Sequence, residues 1–204
     1  MIERLIKQPY LAKKIAIIQN EFSQDMGIGT IFWLFLEAPL MTNAEGEVLD
    51  EFYELPNGCV WCTVKDDLVQ TLELLVENKP ELEHIFVETN GLADPANIIK
   101  IFWLDDGLMS NIELNYTMGI IDAKNFVKNL EDKEITEALK KQLVHADKIL
   151  INKIDLVDEA QITNIKNKIK SFNPLVELTP TEYANADLDY LIQQPERLQN
   201  FKER

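Results

Sequence analysis

The chain has 204 residues, of which 46% are hydrophobic and 27% are charged, so it has material for one globular domain or slightly more. Its formal net charge is −15, from 35 acidic and 20 basic residues, which argues against nucleic acid or an anionic membrane as the main partner and suits a cation, a basic protein or a small ligand. No apolar run reaches the length of about 18 residues that a membrane-spanning helix needs, and residues 1–8 do not resemble a signal peptide.

The predicted strands are short apolar runs, rich in β-branched residues, that alternate along the chain with longer amphipathic stretches. Each run is too short for a helix and suits a strand that is covered on both faces. The runs lie at residues 15–18, 85–87, 118–121, 149–151 and 175–178. Residues 27–51 follow no regular pattern, and there we predict a mobile insertion without regular secondary structure.

Helices are predicted at residues 65–78 and 133–146, where apolar side chains recur on one stripe. Asp94, followed by Pro95, is typical of the start of another helix, and Asp158 is a candidate cap for a fourth. This alternation of strands and helices predicts an α/β fold with a mostly parallel sheet that is flanked by helices. Ligands bind such sheets at the carboxyl ends of the strands, so the residues that follow each strand form the candidate site.

The segment Asn152-Lys153-Ile154-Asp155 directly follows one predicted strand and matches the N-K-x-D motif of GTPases. In that motif the aspartate accepts hydrogen bonds from N1 and N2 of guanine, the asparagine contacts the base edge, and the lysine stem packs on the ring. Adenine lacks this pair of donors, so the motif excludes ATP. A polar loop that caps a helix is the alternative, but the position after a buried strand favours guanine recognition by Asn152, Lys153 and Asp155.

Glu88 lies at the end of another predicted strand, three residues before Gly91. This is the arrangement of the D-x-x-G motif of GTPases, with glutamate in place of aspartate. The carboxylate holds Mg²⁺ through water, and the glycine lets a backbone N–H approach the γ-phosphate. We therefore predict catalytic roles for Glu88 and Gly91, with an ordinary strand–turn–helix junction as the alternative.

Cys59 and Cys62 have the C-x-x-C spacing with which two thiolates share a soft cation such as Zn²⁺. Two thiolates do not complete a tetrahedral site, so further ligands are needed, and Glu21 after the first strand is a candidate. A redox pair and two cysteines packed in the core are the alternatives. Two closely spaced cysteines are too few for a secreted disulfide framework, which makes the cytoplasm the expected compartment.

Taken together and in order, these segments resemble the motifs of the CobW-type GTPases, and among these they are most similar to the zinc-regulated metalloprotein activators. The family pattern runs N-E-F-G, E-L-x-N-G-C-x-C-C, E-T-T/S-G-L-A-D-P, V-V-D-A and N-K-x-D. The matching segments here are Asn20-Glu21-Phe22-Ser23, Glu54-Leu55-Pro56-Asn57-Gly58-Cys59-Val60-Trp61-Cys62, Glu88-Thr89-Asn90-Gly91-Leu92-Ala93-Asp94-Pro95, Ile120-Ile121-Asp122-Ala123 and Asn152-Lys153-Ile154-Asp155. The resemblance implies a P-loop-NTPase-like fold of three layers, with GTP and Mg²⁺ as cofactors. It also implies GTP hydrolysis coupled to the delivery of Zn²⁺, or a similar cation, to a metal-dependent client protein.

The sequence departs from the family pattern in ways that bear on this function. It contains no G-x-x-x-x-G-K-S/T phosphate loop, and Trp61 stands where the family has a middle cysteine. We therefore expect residues 1–195 to be an N-terminally truncated nucleotide-binding domain that lacks the first strand and the phosphate loop, followed by a tail at 196–204. Without the loop that cradles the β-phosphate, we expect very weak GTP binding and no useful hydrolysis.

Three functions remain open from the sequence. The first is a metallochaperone GTPase represented by an incomplete chain, and the second is a non-catalytic relative that binds a metal or a client. The third is a small redox or zinc-binding module that has no connection with GTP. Retention of the whole guanine motif, Asn152 to Asp155, favours the first, because only guanine binding gives these residues a physical reason to stay together.

Overall fold

The computed structural model describes residues 15–21, 30–34, 64–89, 91–104 and 112–198. They belong to two compact units, one drawn from Met1–Gly91 with Ile101–Ile112 and the other from Leu92–Lys100 with Glu113–Arg204. Cys59, Cys62 and the residues after Leu198 lie outside the described residues. No helix in the described ranges is long and apolar enough to cross a membrane.

The first unit is built on a sheet with the strand order β2-β1-β3. Its elements are β1 (Ile15–Glu21), β2 (Thr30–Leu34), α1 (Val64–Asn78) and β3 (His84–Glu88). Strand β1 pairs in parallel with β3 and antiparallel with β2. Leu68, Leu72 and Leu75 of α1 are buried, which confirms the stripe predicted for this helix. The strands predicted at 15–18 and 85–87 are likewise confirmed, and both are longer than predicted.

The prediction that residues 27–51 lack regular structure is wrong for β2. Thr30–Leu34 is β-branched and aromatic, and it pairs over its whole length with β1. This segment becomes a strand because it pairs with β1. Its own residues show no apolar–polar alternation, so the sequence pattern does not predict the pairing. The other residues of the predicted insertion lie outside the described part of the chain.

Helix α2 (Pro95–Leu104) begins where the Asp94-Pro95 pair predicted a helix start. A carboxylate oxygen of Asp94 accepts a hydrogen bond from the N–H of Ala96 at 3.0 Å. This satisfies one of the free amide groups of the first turn, which is the role of a capping residue.

The second unit is built on a sheet of three parallel strands in the order β4-β5-β6. The strands are β4 (Met118–Asp122), β5 (Lys148–Asn152) and β6 (Glu177–Pro180). The helices are α3 (Phe126–Glu131), α4 (Thr136–His145), α5 (Glu159–Phe172) and α6 (Leu188–Ile192), and a 3-10 turn spans Ile154–Leu156. Parallel strands joined by helices confirm the predicted α/β fold.

The core of the second unit forms around β5, whose residues Ile149, Leu150 and Ile151 are completely buried. Helix α5 packs Ile165 and Ile169 into this core. Asp158 caps α5 as predicted, because its carboxylate accepts from the N–H of Gln161 while the Gln161 side chain accepts from the N–H of Asp158. This reciprocal capping box fixes the start of the helix that follows the candidate guanine motif.

Two element boundaries in the second unit differ from the prediction. The helix predicted at 133–146 is shorter, from Thr136 to His145. The strand predicted at 175–178 begins two residues later, where the N–H of Glu177 donates to the carbonyl of Asp147 at 3.0 Å. Leu175 is exposed, so the apolar run that suggested the strand is not all part of the sheet.

Lys148 is a charged residue at the buried start of β5. Its ammonium donates to the carbonyls of Tyr190 and Gln193 at 2.6 and 2.7 Å, and it lies 4.7 Å from the Tyr116 ring centroid and 4.1 Å from that of Tyr190. Burial lowers the pKa of Lys148. The side chain thereby ties the end of α6 to the sheet through hydrogen bonds and cation–π contacts.

Candidate functional site

The candidate guanine motif begins at the carboxyl end of β5, where Asn152 is the last residue of the strand. The amide oxygen of Asn152 accepts hydrogen bonds from the N–H of Ala184 at 2.8 Å and from the hydroxyl of Thr181 at 3.3 Å. The N–H of Ile154 donates to the carbonyl of Thr181 at 3.3 Å. The motif is therefore held against residues 181–185, the loop that follows β6. No recognisable motif marks this loop in the sequence, so only the structure reveals it.

Lys153 adopts a left-handed backbone conformation, with φ 62° and ψ 38°. A non-glycine residue pays about 1–2 kcal/mol for this conformation, so other contacts must hold it. Its ammonium donates to a carboxylate oxygen of Asp122 at 2.8 Å. The Lys153 side chain remains half exposed, which leaves its aliphatic stem open to a ligand.

Asp122 is held rigidly at the end of β4, next to Asn152 in the register of the parallel strands. Its two carboxylate oxygens accept from the N–H of Lys124 at 2.9 Å, the N–H of Asn125 at 3.3 Å and the Asn125 side chain at 3.0 Å, in addition to Lys153. Burial raises the pKa of Asp122, but the hydrogen bonds from Lys153 and Asn125 together outweigh it and hold the pKa below its usual value. The sequence predicts no role for Asp122, although this residue belongs to the motif at 120–123 and directly follows the strand predicted at 118–121.

We expect the free energy of unfolding to fall less on acidification in Asp122→Asn than in wild type. Because the folded pKa of Asp122 is lowered, the unfolded chain binds more protons than the folded chain near the ordinary carboxyl pKa. Ionised Asp122 thus stabilises the fold above the ordinary carboxyl pKa, and this stabilisation is lost as the pH falls through the pKa that Asp122 has in the folded protein. Urea denaturation from about pH 6 down to about pH 3 measures this loss, which should be smaller in Asp122→Asn. Asp189→Asn, an exposed change in α6, is the control, and a loss identical to wild type in Asp122→Asn would contradict the expectation.

Asp155 lies in the 3-10 turn that follows Lys153, and its side chain is exposed. Its carboxylate accepts no hydrogen bond from the described residues, in contrast to the carboxylate of Asp122. The backbone of the turn is nevertheless fixed, because the N–H of Leu156 and that of Val157 donate back to Lys153 and Ile154. The turn therefore presents the Asp155 carboxylate to solvent from a fixed backbone, with its acceptor positions unoccupied by the described residues.

Glu88 and Gly91 lie in the first unit. Glu88 is the exposed last residue of β3 and is paired in register with Gln19 of β1, so it does lie at the carboxyl end of a parallel strand. Gly91 is exposed in the turn that follows, and a Cβ atom placed on it would meet no atom within 4 Å. Packing of the described residues therefore does not require glycine at position 91.

Ala93 and Asp94, further along the segment that begins at Glu88, are hydrogen-bonded to helix α4 within the second unit. Lys141 donates to a carboxylate oxygen of Asp94 at 2.9 Å, and the side chain of Gln142 donates to the carbonyl of Ala93 at 3.2 Å. The hydrogen bond from Lys141 lowers the pKa of Asp94. Because the Lys141 side chain is about half exposed, this ion pair contributes little stability and mainly fixes position.

The predicted metal ligands are not brought together by the described part of the structure. Glu21 is the last residue of β1, opposite Thr30 of β2, whereas Cys59 and Cys62 lie outside the described residues. Within the described ranges, no group of three or more His, Cys, Asp or Glu side chains is arranged to hold a metal ion. Zinc binding by Cys59, Cys62 and Glu21 thus stays a prediction from the sequence.

Comparison with known proteins places the chain among nucleotide-binding domains. A family model described as the CobW/HypB/UreG nucleotide-binding domain matches residues 1–180. The chain is 34% identical over 176 residues to zinc-regulated GTPase metalloprotein activator 1 of Schizosaccharomyces pombe, across 86% of this chain and 40% of that protein. It is 30% identical over 179 residues to the zinc chaperone CobW of a Sinorhizobium species, across 78% of this chain and 48% of that protein.

Among solved structures, the fold is similar to that of the Zn(II)-bound YjiA GTPase from E. coli. The TM-score is 0.61 at 21% sequence identity, across 88% of this chain and 52% of that one. A triple mutant of the same GTPase, also bound to Zn(II), gives a TM-score of 0.62 at 20% identity, across 92% of this chain and 57% of that one. The chain spans less than half the length of the two curated relatives and slightly more than half of the solved chains.

Proposed function

The chain belongs to the CobW/HypB/UreG family of nucleotide-binding domains, and from that premise we propose that it is the guanine-nucleotide-binding domain of a zinc metallochaperone. In this function, binding of GTP is coupled to transfer of Zn²⁺, or a similar cation, to a metal-dependent client protein. The names of the relatives, a zinc-regulated GTPase and a zinc chaperone, support the proposal. The cytoplasm is the compartment we propose, because thiolates stay reduced there and available for metal.

The guanine part of the proposal rests on one observation. Hydrogen bonds hold the motif that follows β5 on both sides, and no described residue binds the carboxylate of Asp155. Asn152 binds the loop after β6, and Lys153 binds Asp122 at the end of β4. Between these two anchors the turn presents Asp155 to solvent, with no hydrogen-bond donor to its carboxylate among the described residues. A carboxylate that a fixed backbone presents with open acceptor positions suits the N1–H and N2–H₂ donors of guanine.

For the phosphate side we propose that Glu88 holds Mg²⁺ through water and that Gly91 allows a backbone N–H to approach the γ-phosphate. The exposed position of Glu88 at a strand end and the open space around Gly91 support these roles. The 204 residues contain no G-x-x-x-x-G-K-S/T segment, so we propose that this chain alone binds nucleotide weakly and mainly through the base. The same lack favours a second candidate, a non-catalytic family member that binds a metal or a client.

Titration with guanosine and adenosine monophosphate, followed by NMR chemical shifts, tests the guanine part. The monophosphates are chosen because most of their binding energy comes from the base and little from phosphate contacts. The proposal requires a clear preference for the guanine nucleotide, and it requires that Asp155 set this preference. If the chain prefers neither base, the second candidate takes the place of the first.

We expect the double variant Cys59→Ser, Cys62→Ser to lose high-affinity zinc binding, because a serine hydroxyl stays protonated at neutral pH and is a poor ligand for Zn²⁺. Calorimetric titration with Zn²⁺ measures the loss, and Glu21→Gln, which removes only one candidate oxygen ligand, should show a smaller one. A variant of the two histidines, His84→Gln, His145→Gln, is the control for adventitious binding. Unchanged zinc uptake in the cysteine variant would remove Cys59 and Cys62 from the metal site.

A further inference from the structure

The loop after β6 contains two consecutive non-glycine residues in the left-handed backbone region, Tyr183 at φ 53° and Ala184 at φ 51°. This region is sparsely populated by residues that carry a Cβ atom, and glycine is the residue that normally fills it. The turn residues of the loop therefore hold strain that a glycine would relieve. Such strain persists where surrounding contacts impose it, and it is concentrated at ligand sites.

The hydrogen bonds that fix this loop come from the candidate guanine motif, from β5 and from the loop itself. The N–H of Ala184 donates to the Asn152 amide oxygen at 2.8 Å, and the N–H of Asn185 closes the turn onto the carbonyl of Glu182 at 2.8 Å. The N–H of Thr181 donates to the carbonyl of Ile151 at 2.8 Å. Both ends of the loop are thus fixed to the end of β5, and Tyr183 lies between them.

The Tyr183 side chain is 83% exposed, which is the largest exposed fraction among the large hydrophobic residues of the described ranges. Packing among the described residues therefore gives no reason for a tyrosine at position 183. Strain at the backbone and an aromatic ring in water are both unfavourable for the unliganded chain. They occur together, on the loop that hydrogen-bonds Asn152 of the candidate guanine motif.

We propose that the ring of Tyr183 stacks on the purine base of the nucleotide that the Asn152–Asp155 loop recognises. This inference rests on the proposed function, because it requires a base at that loop. An aromatic ring offers a flat apolar surface that any base covers, so stacking adds affinity while the carboxylate of Asp155 supplies selectivity. Tyr183 is therefore a base-binding residue that lies outside the motif.

The experiment compares the affinities of wild type, Tyr183→Ala, Tyr183→Phe and Leu175→Ala for guanosine monophosphate. We expect Tyr183→Ala to bind about 10-fold more weakly, because base–aromatic stacking is lost, and Tyr183→Phe to stay within about twofold because the ring is kept. Leu175 is similarly exposed, at 69%, but lies before β6, so Leu175→Ala should bind like wild type. Equal affinity of Tyr183→Ala and wild type would overturn the inference and leave the proposed function intact.

A further variant, Tyr183→Gly, separates the ring from the backbone. Because glycine adopts the left-handed region without strain, we expect its melting temperature to be at least that of wild type while its affinity for guanosine monophosphate falls as in Tyr183→Ala. Wild type should also show nuclear Overhauser contacts between the tyrosine ring protons and the H8 proton of the base. A less stable Tyr183→Gly with unchanged affinity assigns the residue a structural role and overturns the inference. A wild-type chain that does not distinguish guanine from adenine overturns the proposed function itself.

Discussion

Asp155→Asn is expected to reverse the base preference of the chain from guanine to xanthine. Guanine presents two donors, N1–H and N2–H₂, to the carboxylate, whereas xanthine presents the N1–H donor and the O2 acceptor. An asparagine side chain has one acceptor and one donor, so it matches xanthine and leaves an unpaired donor opposite guanine. The ratio of affinities for the guanine and xanthine monophosphates should change by about 100-fold or more, and NMR titration of both ligands measures it.

The structure makes this substitution a clean test. The side chain of Asp155 is exposed and holds no other group of the described residues, so the variant should unfold at the same temperature as wild type. Asp189→Asn, which changes the same total charge at an exposed site in α6, controls for electrostatics. If Asp155→Asn kept the guanine preference of wild type, Asp155 would not read the base and the guanine part of the proposal would fail.

The largest effect on stability is expected at Asn173, which is only 8% exposed. Its side-chain amide donates to the carbonyls of Leu143, Val144 and Ala146 at 3.0, 3.3 and 2.8 Å. These are carbonyls at the end of α4, where a helix has no backbone donors left to satisfy them. Asn173→Ala removes the donor and leaves a small void, so the free energy of unfolding should fall by about 3 kcal/mol.

Urea denaturation of matched variants tests the explanation for Asn173. Asn167→Ala changes an exposed residue of α5, the helix that ends one residue before Asn173, and should change the free energy of unfolding by less than about 0.5 kcal/mol. Asn173→Asp keeps the shape of the side chain but places a carboxylate against carbonyl oxygens, so it should destabilise at least as much as Asn173→Ala. If Asn173→Asp were as stable as wild type, hydrogen bonds from the Asn173 amide would not be what stabilises the end of α4.

Most residues of the candidate guanine site could be predicted from the sequence, because they are contiguous and follow a strand. The run at 149–151 predicted a buried strand, and Asn152, Lys153 and Asp155 directly follow it. The catalytic roles of Glu88 and Gly91, and the metal-binding roles of Cys59, Cys62 and Glu21, stay predictions. The structure describes the backbone positions of Glu88, Gly91 and Glu21, but the two cysteines lie outside the described residues.

The amino-acid sequence by itself determined the α/β class and the positions of most strands and helices, and it predicted the guanine motif. These depend on apolar periodicity and on residues that are neighbours in the chain, and both are visible in the sequence. The ion pair of Lys153 with Asp122 and the hydrogen bond of Asn152 with Ala184 were decided by tertiary structure alone. They join residues about 30 positions apart, which meet because β4, β5 and β6 pair in parallel with their carboxyl ends at one edge. The register of that pairing follows from packing of the whole unit, and no local segment of the chain encodes it.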